Sequence, residues 1–534
     1  MKKLFYLILL SATVVITSCS KDKKITPGNT GNTGGTTSTD VPPTTGSTLD
    51  FIKDSVFLYA KQVYYWNESL PSYSAFKPRS FPGANDLDVL QTEIDAMTQY
   101  STDPSTGKPY EYRKAAPGTA KYSFIDDGSV SGELNGVKGD FGFAPVWIGD
   151  DDIRVKYVYP GSPADVKGLK RGYQITAING RTDEGLKYDG NGGNGTNVNF
   201  LINAYTNSST ITLTLKRPDQ TTFNVTMSTG SYNVNPVLTT KVIDAGGGKK
   251  VGYFVFNSFT SDANARPKLD AAFATFAAAG VTDLVVDLRY NGGGYVSTAE
   301  YLSNLIAPAN KTNTTMFSYY FNQTMVDRKA TILANQKRKD DKGAIYSYYD
   351  FDYTVAGNTV KFSKDGVPTA LNLNHVFFIV TGSTASASEL TINNLLPVTS
   401  LNVNLIGTTS YGKPVGFFDI DINKYQMYIP QFETKNSLGK GGYYAGMTPG
   451  TADYPGKQAS DDVTKDFGDP TESLLKYAIN FVTKGNYVLT GSNQQTQSLS
   501  SLKTFSVDQS REVGIQSEGK VFRGMIYNNS KAKK

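Results

Sequence analysis

The spacing of apolar positions changes along this chain, and each change predicts a different kind of structure. From Leu4 to Ile16 the apolar residues run almost unbroken behind Lys2 and Lys3. That run is too short to span a membrane as a mature helix and has the form of an export signal, residues 1–18. Thr26 to Ser47 holds Gly, Thr, Ser, Pro and Asn with almost nothing apolar. Such a composition cannot bury a core, so residues 19–48 are expected to be a flexible tether. Phe51, Val56, Tyr59, Ala60 and Val63 then recur near helical spacing, and an aromatic cluster of Tyr64, Tyr65 and Trp66 follows. Residues 49–130 therefore read as a small helical domain for packing and positioning, with no chemistry of its own. Residues 136–230 break into short strand-like runs with Gly-rich turns, including a loop at Asp189–Gly195 expected to be mobile. From 231 to 485, strand-like runs (Val251–Phe256, Leu284–Arg289) alternate with helical ones (Leu269–Ala279, and one opening at Ser297). That is the arithmetic of an α/β domain. The polar tail, 486–534, is assigned no role. The expected fold class is α/β, or α+β across the whole multidomain chain.

Composition narrows the chemistry. Hydrophobic residues make up 39% and charged residues 19% of 534, a globular balance. The net charge of +5 falls to about +3 without Lys2 and Lys3, too little over this length to argue for nucleic acid. There is one cysteine and one histidine. Disulfides within the chain are impossible, and a Cys/His zinc site lacks ligands. Any Ser-His-Asp triad would have to use His375.

Three segments carry the candidate chemistry. Asp287–Arg289 runs into Tyr290-Asn291-Gly292-Gly293-Gly294. The strand-like Val376–Val380 leads through Thr381-Gly382-Ser383-Thr384-Ala385-Ser386-Ala387-Ser388-Glu389 into an apolar helical run, Leu390–Leu396. Val403–Gly407 leads to Thr408-Thr409-Ser410-Tyr411-Gly412-Lys413. The second segment sets Ser386 on a tight turn between strand and helix. The first N–H groups of a helix lack partners and carry partial positive charge there, so a nucleophilic serine gains oxyanion support. Ala385 and Ala387 leave room for substrate, and the glycine triplet offers a second N–H. Lys413 is placed to reach the serine, and burial would lower its pKa toward that of a useful base. Ser-Lys pairs activate serine without histidine. Taken alone, Ser386-Ala387-Ser388-Glu389 fits a helix capping box better than a nucleophile. The three segments together favour the nucleophile.

Three resemblances extend this reading. Gly139-Asp140-Phe141-Gly142-Phe143, Val155–Ala164 and Gly168–Gly180 resemble a PDZ domain of the bacterial protease type, with Tyr173 where that family usually has Asp. The resemblance implies that Phe141, Gly142 and Phe143 form a loop that closes on a peptide's C-terminal carboxylate, the peptide adding to a sheet edge. The three catalytic segments together resemble the tail-specific, or C-terminal processing, protease family of S41 serine peptidases. Gly468–Leu475 resembles the start of that family's final helix. This resemblance implies a ClpP/crotonase-like peptidase domain at 231–485, with Ser386 rather than Ser388 as nucleophile and Lys413 as base. It further implies oxyanion donors at Ala387 and at Gly293 or Gly294, no cofactor, no metal, and protein or peptide substrates held by their C-terminal tails. Ile16-Thr17-Ser18-Cys19 resembles a lipobox, which implies lipidation of Cys19. The chain is then anchored to a membrane of the cell envelope, expected to be the outer membrane, and faces the periplasm or the cell surface.

This chain departs from the family at Phe417, where many members carry Gln, and at Pro414-Val415-Gly416. A charged, Tyr-rich insert at 311–352 is placed to cover or shape the cleft. Three rival readings follow from the residues. A scaffold that keeps the cleft but turns over nothing, serving as a peptide- or ligand-binding lipoprotein, is the alternative raised by Phe417. Gly407 to Lys413 fits most of a Walker A loop but fails at Pro414, which lacks both hydroxyl and N–H. His375 begins the strand that leads to Ser386. At about 3.3 Å per residue it falls at the far end of that strand and reads as structural.

Overall fold

A computed structural model describes residues 40–114, 116–190, 195–340, 342–489 and 523–527. The signal segment, Cys19, most of the tether and most of the C-terminal extension lie outside the described residues, as do residues 191–194 of the Gly-rich loop.

The N-terminal region carries helices α1 (Thr48–Val63) and α2 (Asp86–Thr98) and a short strand β1 (Phe124–Asp126). Ser47 caps α1 by accepting from the Asp50 N–H while the Asp50 carboxylate accepts from the Ser47 N–H, a reciprocal arrangement that satisfies two N–H groups. Val56, Phe57, Ala60 and Val63 bury one face of α1, as the helical spacing predicts. β1 stays tied to α2, the Ile125 N–H donating to Gln91 Oε1 at 3.2 Å, and also reaches out of this region. It pairs with a hairpin strand of the large domain, Phe124 opposite Tyr428.

The second region is an antiparallel sheet with strands β2 (Phe143–Trp147), β3 (Ile153–Val158) and β4 (Gln174–Ile178), helix α3 (Thr196–Ile202), then β5 (Thr210–Lys216) and β6 (Thr222–Ser228). Its order is β6-β5-β4-β3-β2, which leaves β2 at an edge. It has its own apolar core, including Phe141, Phe143, Trp147, Val155 and Leu213.

The large domain is built on a sheet of β7 (Val237–Gly246), β8 (Lys249–Phe256), β9 (Asp283–Asp287), β12 (His375–Val380), β13 (Val403–Gly407) and β18 (Gly456–Gln458) in that order. β7 is antiparallel to β8, and every other neighbouring pair is parallel. Strands buried on both faces read as continuous apolar runs, and Leu284-Val285-Val286 and Val376–Val380 are fully buried. Helices α4 (Asp262–Ala279), α5 (Val296–Ile306) and α6 (Ala387–Leu395) share a core with one face of the sheet. α7 (Leu475–Lys484) covers the other face. Each fully buried Val, Leu, Ile or Phe here contributes about 1.5–3 kcal/mol through removal from water. Around the sheet's C-terminal edge lie β10 (Gly293–Tyr295), β11 (Thr315–Phe321), β14 (Val415–Gly416), the hairpin β15–β16 (Ile420–Ile422, Tyr425–Tyr428), β17 (Phe432–Asn436) and β19 (Gly524–Ile526). β11, supplied by the 311–352 insert, pairs with β17, and β17 with β14, so this insert does wall the cleft. In α/β sheets that edge is where ligands bind.

Candidate active site

The serine turn is stitched to the glycine strand. Asn291 is the hub: its carbonyl accepts from the Ala385 N–H at 3.0 Å and from Ser388 Oγ at 3.1 Å. Its side-chain Nδ2 donates to the Phe256 carbonyl at 2.8 Å, and its Oδ1 accepts from the Gly293 N–H at 2.9 Å. Ser386 sits at φ 62°, ψ −107°, a conformation that costs a non-glycine residue about 1–3 kcal/mol and persists only where the surroundings enforce it. The residue is fully buried and Oγ has no hydrogen-bond partner among the described residues. Ala387 opens α6 and offers its N–H at the helix start.

Glycine is required in β10 by close approach. A Cβ on Gly293 would stand 3.1 Å from the Ala387 nitrogen and 2.4 Å from the Gly524 carbonyl oxygen. At Gly294 (φ 138°) a Cβ would meet the Phe259 carbonyl oxygen at 2.0 Å. Of the expected oxyanion donors, the Gly293 N–H is directed at Asn291 Oδ1, while Gly294 belongs to the ladder that β10 forms with β19.

The lysine loop is tied to the serine turn by one carboxylate. Glu389 Oε2 accepts from the N–H groups of Ser386 and Lys413, both at 2.8 Å. Its Oε1 accepts from the Gly412 N–H at 2.7 Å and from Ser410 Oγ. Burial pushes the Glu389 pKa up, while these four donors pull it down. Burial outweighs them, so on balance the Glu389 pKa stands above the usual carboxylate range. The capping-box pattern is thus real for Glu389, but its reach extends to the lysine loop, which the sequence did not reveal.

Lys413 is fully buried. Burial holds its pKa well below the usual lysine range. The negative charges of Glu111 and Glu389 oppose that shift, and the positive charge of Lys121 adds to it. Nζ lies 4.1 Å from the centre of the Phe417 ring and 5.4 Å from that of Tyr122, and it donates to the Arg523 carbonyl at 2.7 Å. Phe417 therefore forms an apolar wall of the lysine chamber.

The N-terminal region, read as free of chemistry, supplies much of this chamber. Tyr122 Oη and Lys121 Nζ both donate to the Gly412 carbonyl, and Tyr411 Oη donates to the Lys121 carbonyl at 2.8 Å. Glu111 holds this segment by accepting from the Tyr122 and Ser123 N–H groups at 2.9 Å. Burial brings Lys121 down to about 8. No motif announced these residues, because their role depends on β1 crossing to the hairpin.

His375 lies at the opposite end of β12 from Ser386, where Nδ1 faces Asp283 Oδ1 at 2.6 Å. No group of His, Cys, Asp or Glu among the described residues could hold a metal, and no described helix is long and apolar enough to cross a membrane.

In the second region, Phe141 and Phe143 are buried, and Gly142 takes φ 81°, where a Cβ would strike Ser162 at 2.0 Å. The Gly142 N–H donates to Asp140 Oδ1 at 2.8 Å, and the Phe143 carbonyl accepts from Tyr205 Oη. The loop and the edge strand are thus both engaged by the chain's own side chains. This region is locked to the large domain by Arg171, whose guanidinium donates to Tyr290 Oη at 2.7 Å and to Asp461 at 2.9 Å. Between the two, a cavity of about 270 Å³ runs from Asp140, Tyr159 and Tyr205 to Asn257, Tyr290 and Gly293.

A serine on a strained strand-to-helix turn, a strand of glycines and a buried lysine on the next loop thus meet at one edge of an α/β sheet. Residues 250–432 match the family model for peptidase family S41. A carboxyl-terminal-processing protease of Picosynechococcus sp. (strain ATCC 27264 / PCC 7002 / PR-6) is 30% identical over 178 residues, 33% of this chain and 39% of that protein, so the match spans less than half of the relative. Among solved structures, a Bacteroides fragilis NCTC 9343 protein classed with the S41 proteases aligns over 80% of this chain and 97% of its own, at 23% identity and a TM-score of 0.52. The photosystem II D1 C-terminal processing protease aligns over 78% of this chain and 94% of its own, at 15% identity and a TM-score of 0.41. Within its α/β domain this chain is thus similar to peptidase family S41 over residues 250–432.

Proposed function

We propose that this chain is a serine-type endopeptidase that hydrolyses peptide bonds of exported proteins with Ser386 as nucleophile and Lys413 as general base. The observation that carries the reading is the Glu389 carboxylate, which binds the N–H groups of both Ser386 and Lys413 and so sets nucleophile and base in one rigid frame. In this reading the neutral Lys413 amine takes the Ser386 proton as Oγ bonds to the scissile carbonyl carbon. The developing oxyanion accepts from the Ala387 N–H, a donor of this kind contributing about 2.7–4 kcal/mol to the barrier reduction. The ammonium of Lys413 then protonates the leaving amine as the C–N bond breaks. Water, deprotonated in turn by Lys413, releases the acyl group from Ser386. Burial supports this role, since a lysine of ordinary pKa, about 10.4, is almost wholly protonated near neutral pH.

The PDZ-like region supports capture of substrate C-termini at the Phe141-Gly142-Phe143 loop and along β2. The cavity beside that loop ends at Gly292, Gly293 and Ser383, on the serine turn's own segment. Lipidation of Cys19 would hold the enzyme on the envelope membrane, and Cys19→Ser should move it to the soluble fraction. The direct test is incubation of the mature chain with unfolded polypeptides, read by mass spectrometry beside Ser386→Ala. New internal cleavage sites that vanish in Ser386→Ala are expected. Absence of cleavage by the folded wild type overturns the proposal in favour of a binding scaffold.

A further inference from the structure

The segment Arg523–Tyr527, from a tail that the sequence left without a role, lies inside the active-site cleft. It enters as strand β19, parallel to the glycine strand: Gly524 pairs with Gly293, Met525 with Gly294 and Ile526 with Tyr295. The Gly524 N–H donates to the Gly292 carbonyl at 3.0 Å. On its other edge the segment pairs with the residues just past the lysine. The Phe417 N–H donates to the Met525 carbonyl, and the Tyr527 N–H to the Phe417 carbonyl, both at 2.9 Å. The cleft thus closes both backbone edges of one extended strand, which is how a protein holds a peptide whose sequence varies. The side chains are seated as well. Met525 is fully buried, Ile526 nearly so beside Phe417 and Tyr428, and the Tyr527 ring packs on Tyr319 and Phe432.

The segment also touches the chemistry. The Gly524 carbonyl oxygen and the Ala387 nitrogen both lie within 3.1 Å of the point where a Cβ of Gly293 would stand, so the one is close to the oxyanion donor expected at the other. The Arg523 carbonyl takes the hydrogen bond of Lys413 Nζ at 2.7 Å, while Ser386 Oγ, which a working base would have to engage, has no partner among the described residues. The Arg523 guanidinium lies 5.0 Å over the Tyr411 ring, on the same loop.

We infer that Arg523–Tyr527 is an internal occupant of the substrate groove, which holds the lysine away from the serine and must leave before a substrate strand can bind. The inference rests on the proposed peptidase reading for its consequence, but not for its geometry. It also names the substrate class of the groove: an extended strand with a small residue facing Gly293 and apolar residues at the next two positions.

The test compares the full mature chain with two variants, a truncation ending at residue 489 and Met525→Asp in the full chain, which puts a carboxylate into the buried methionine site. The probe is the blocked peptide Arg-Gly-Met-Ile-Tyr. Both variants should cleave an unfolded protein at least tenfold faster in kcat/KM than the full chain. The probe should inhibit the truncated chain competitively and bind it with measurable anisotropy while failing to bind the full chain. If the truncated chain binds the probe but neither form cleaves anything, the occupant inference stands and the peptidase reading falls. If the variants cleave no faster and the probe neither binds nor inhibits, the segment is part of the fold and the inference is overturned, whatever the activity. Should the truncation fail to fold, Met525→Asp decides by the same two readings.

Discussion

Glu389→Gln is the sharpest test of how serine and lysine are held together. The carboxylate accepts four hydrogen bonds, from the N–H groups of Ser386, Gly412 and Lys413 and from Ser410 Oγ. An amide of the same shape offers one oxygen to two of them and turns its NH2 toward the other two. Two buried donors then lack acceptors, at about 1–3 kcal/mol each. The neutral amide is less costly to bury than a charge, which brings the net loss toward about 2–3 kcal/mol. At about 2–4 °C per kcal/mol for a domain of this size, melting should fall by about 5–10 °C. Catalysis should suffer more, because a shift of about 1 Å between nucleophile and base costs about 100-fold. There is also a signature that lost stability cannot mimic. The Glu389 charge raises the Lys413 pKa. Removing it lowers that pKa further, so the residual activity, which needs neutral lysine, should set in at lower pH than in wild type. The assay is kcat and KM on an unfolded protein across pH, with melting followed by circular dichroism. A folded Glu389→Gln with kcat within threefold of wild type and an unmoved acid limb would refute the linkage.

Lys121→Met should move the acid limb the other way. Its positive charge lowers the Lys413 pKa, so its loss raises that pKa and delays activity to higher pH; an acid limb that stays in place or moves down removes Lys121 from the chamber's electrostatics. Lys413→Ala should abolish cleavage as fully as Ser386→Ala, and Lys413→Arg should not rescue it, since guanidinium stays charged; substantial turnover by Lys413→Ala sinks the dyad. His375→Gln, at the far end of β12, should keep most activity in any variant that folds, and complete loss would return histidine to the mechanism. Tyr205→Phe frees the Phe143 carbonyl and should tighten binding of peptides with a free C-terminal carboxylate to the full chain; unchanged affinity, or equal binding of amidated peptides, would show that this edge is not where tails dock.

Much of the fold was legible because the information is local. The apolar runs at Val251–Phe256 and Val376–Val380 read as strands, and both lie buried in the large sheet. The helix beginning beside Ser386 followed from the apolar run that starts at Leu390, and the glycines of β10 from a backbone that passes too close to its neighbours for any side chain. Glu389 was visible as a helix cap, yet its second set of donors comes from a loop distant in sequence. Nothing in a capping pattern says which backbone will fold over the carboxylate.

Long-range pairing decided the rest. Lys121 and Tyr122 reach Lys413 because β1 adds to a hairpin of another domain, and a strand of three residues carries no register signal of its own. Gly524–Tyr527 belongs to a tail that its polar composition leaves without a role, and only the two open backbone edges at Gly292–Tyr295 and Phe417 determine where it binds. Sequence patterns report which faces must leave water and which residues can bend. Which backbone donors meet which acceptors across the chain is settled by the packed whole, and here those meetings set the state of the lysine.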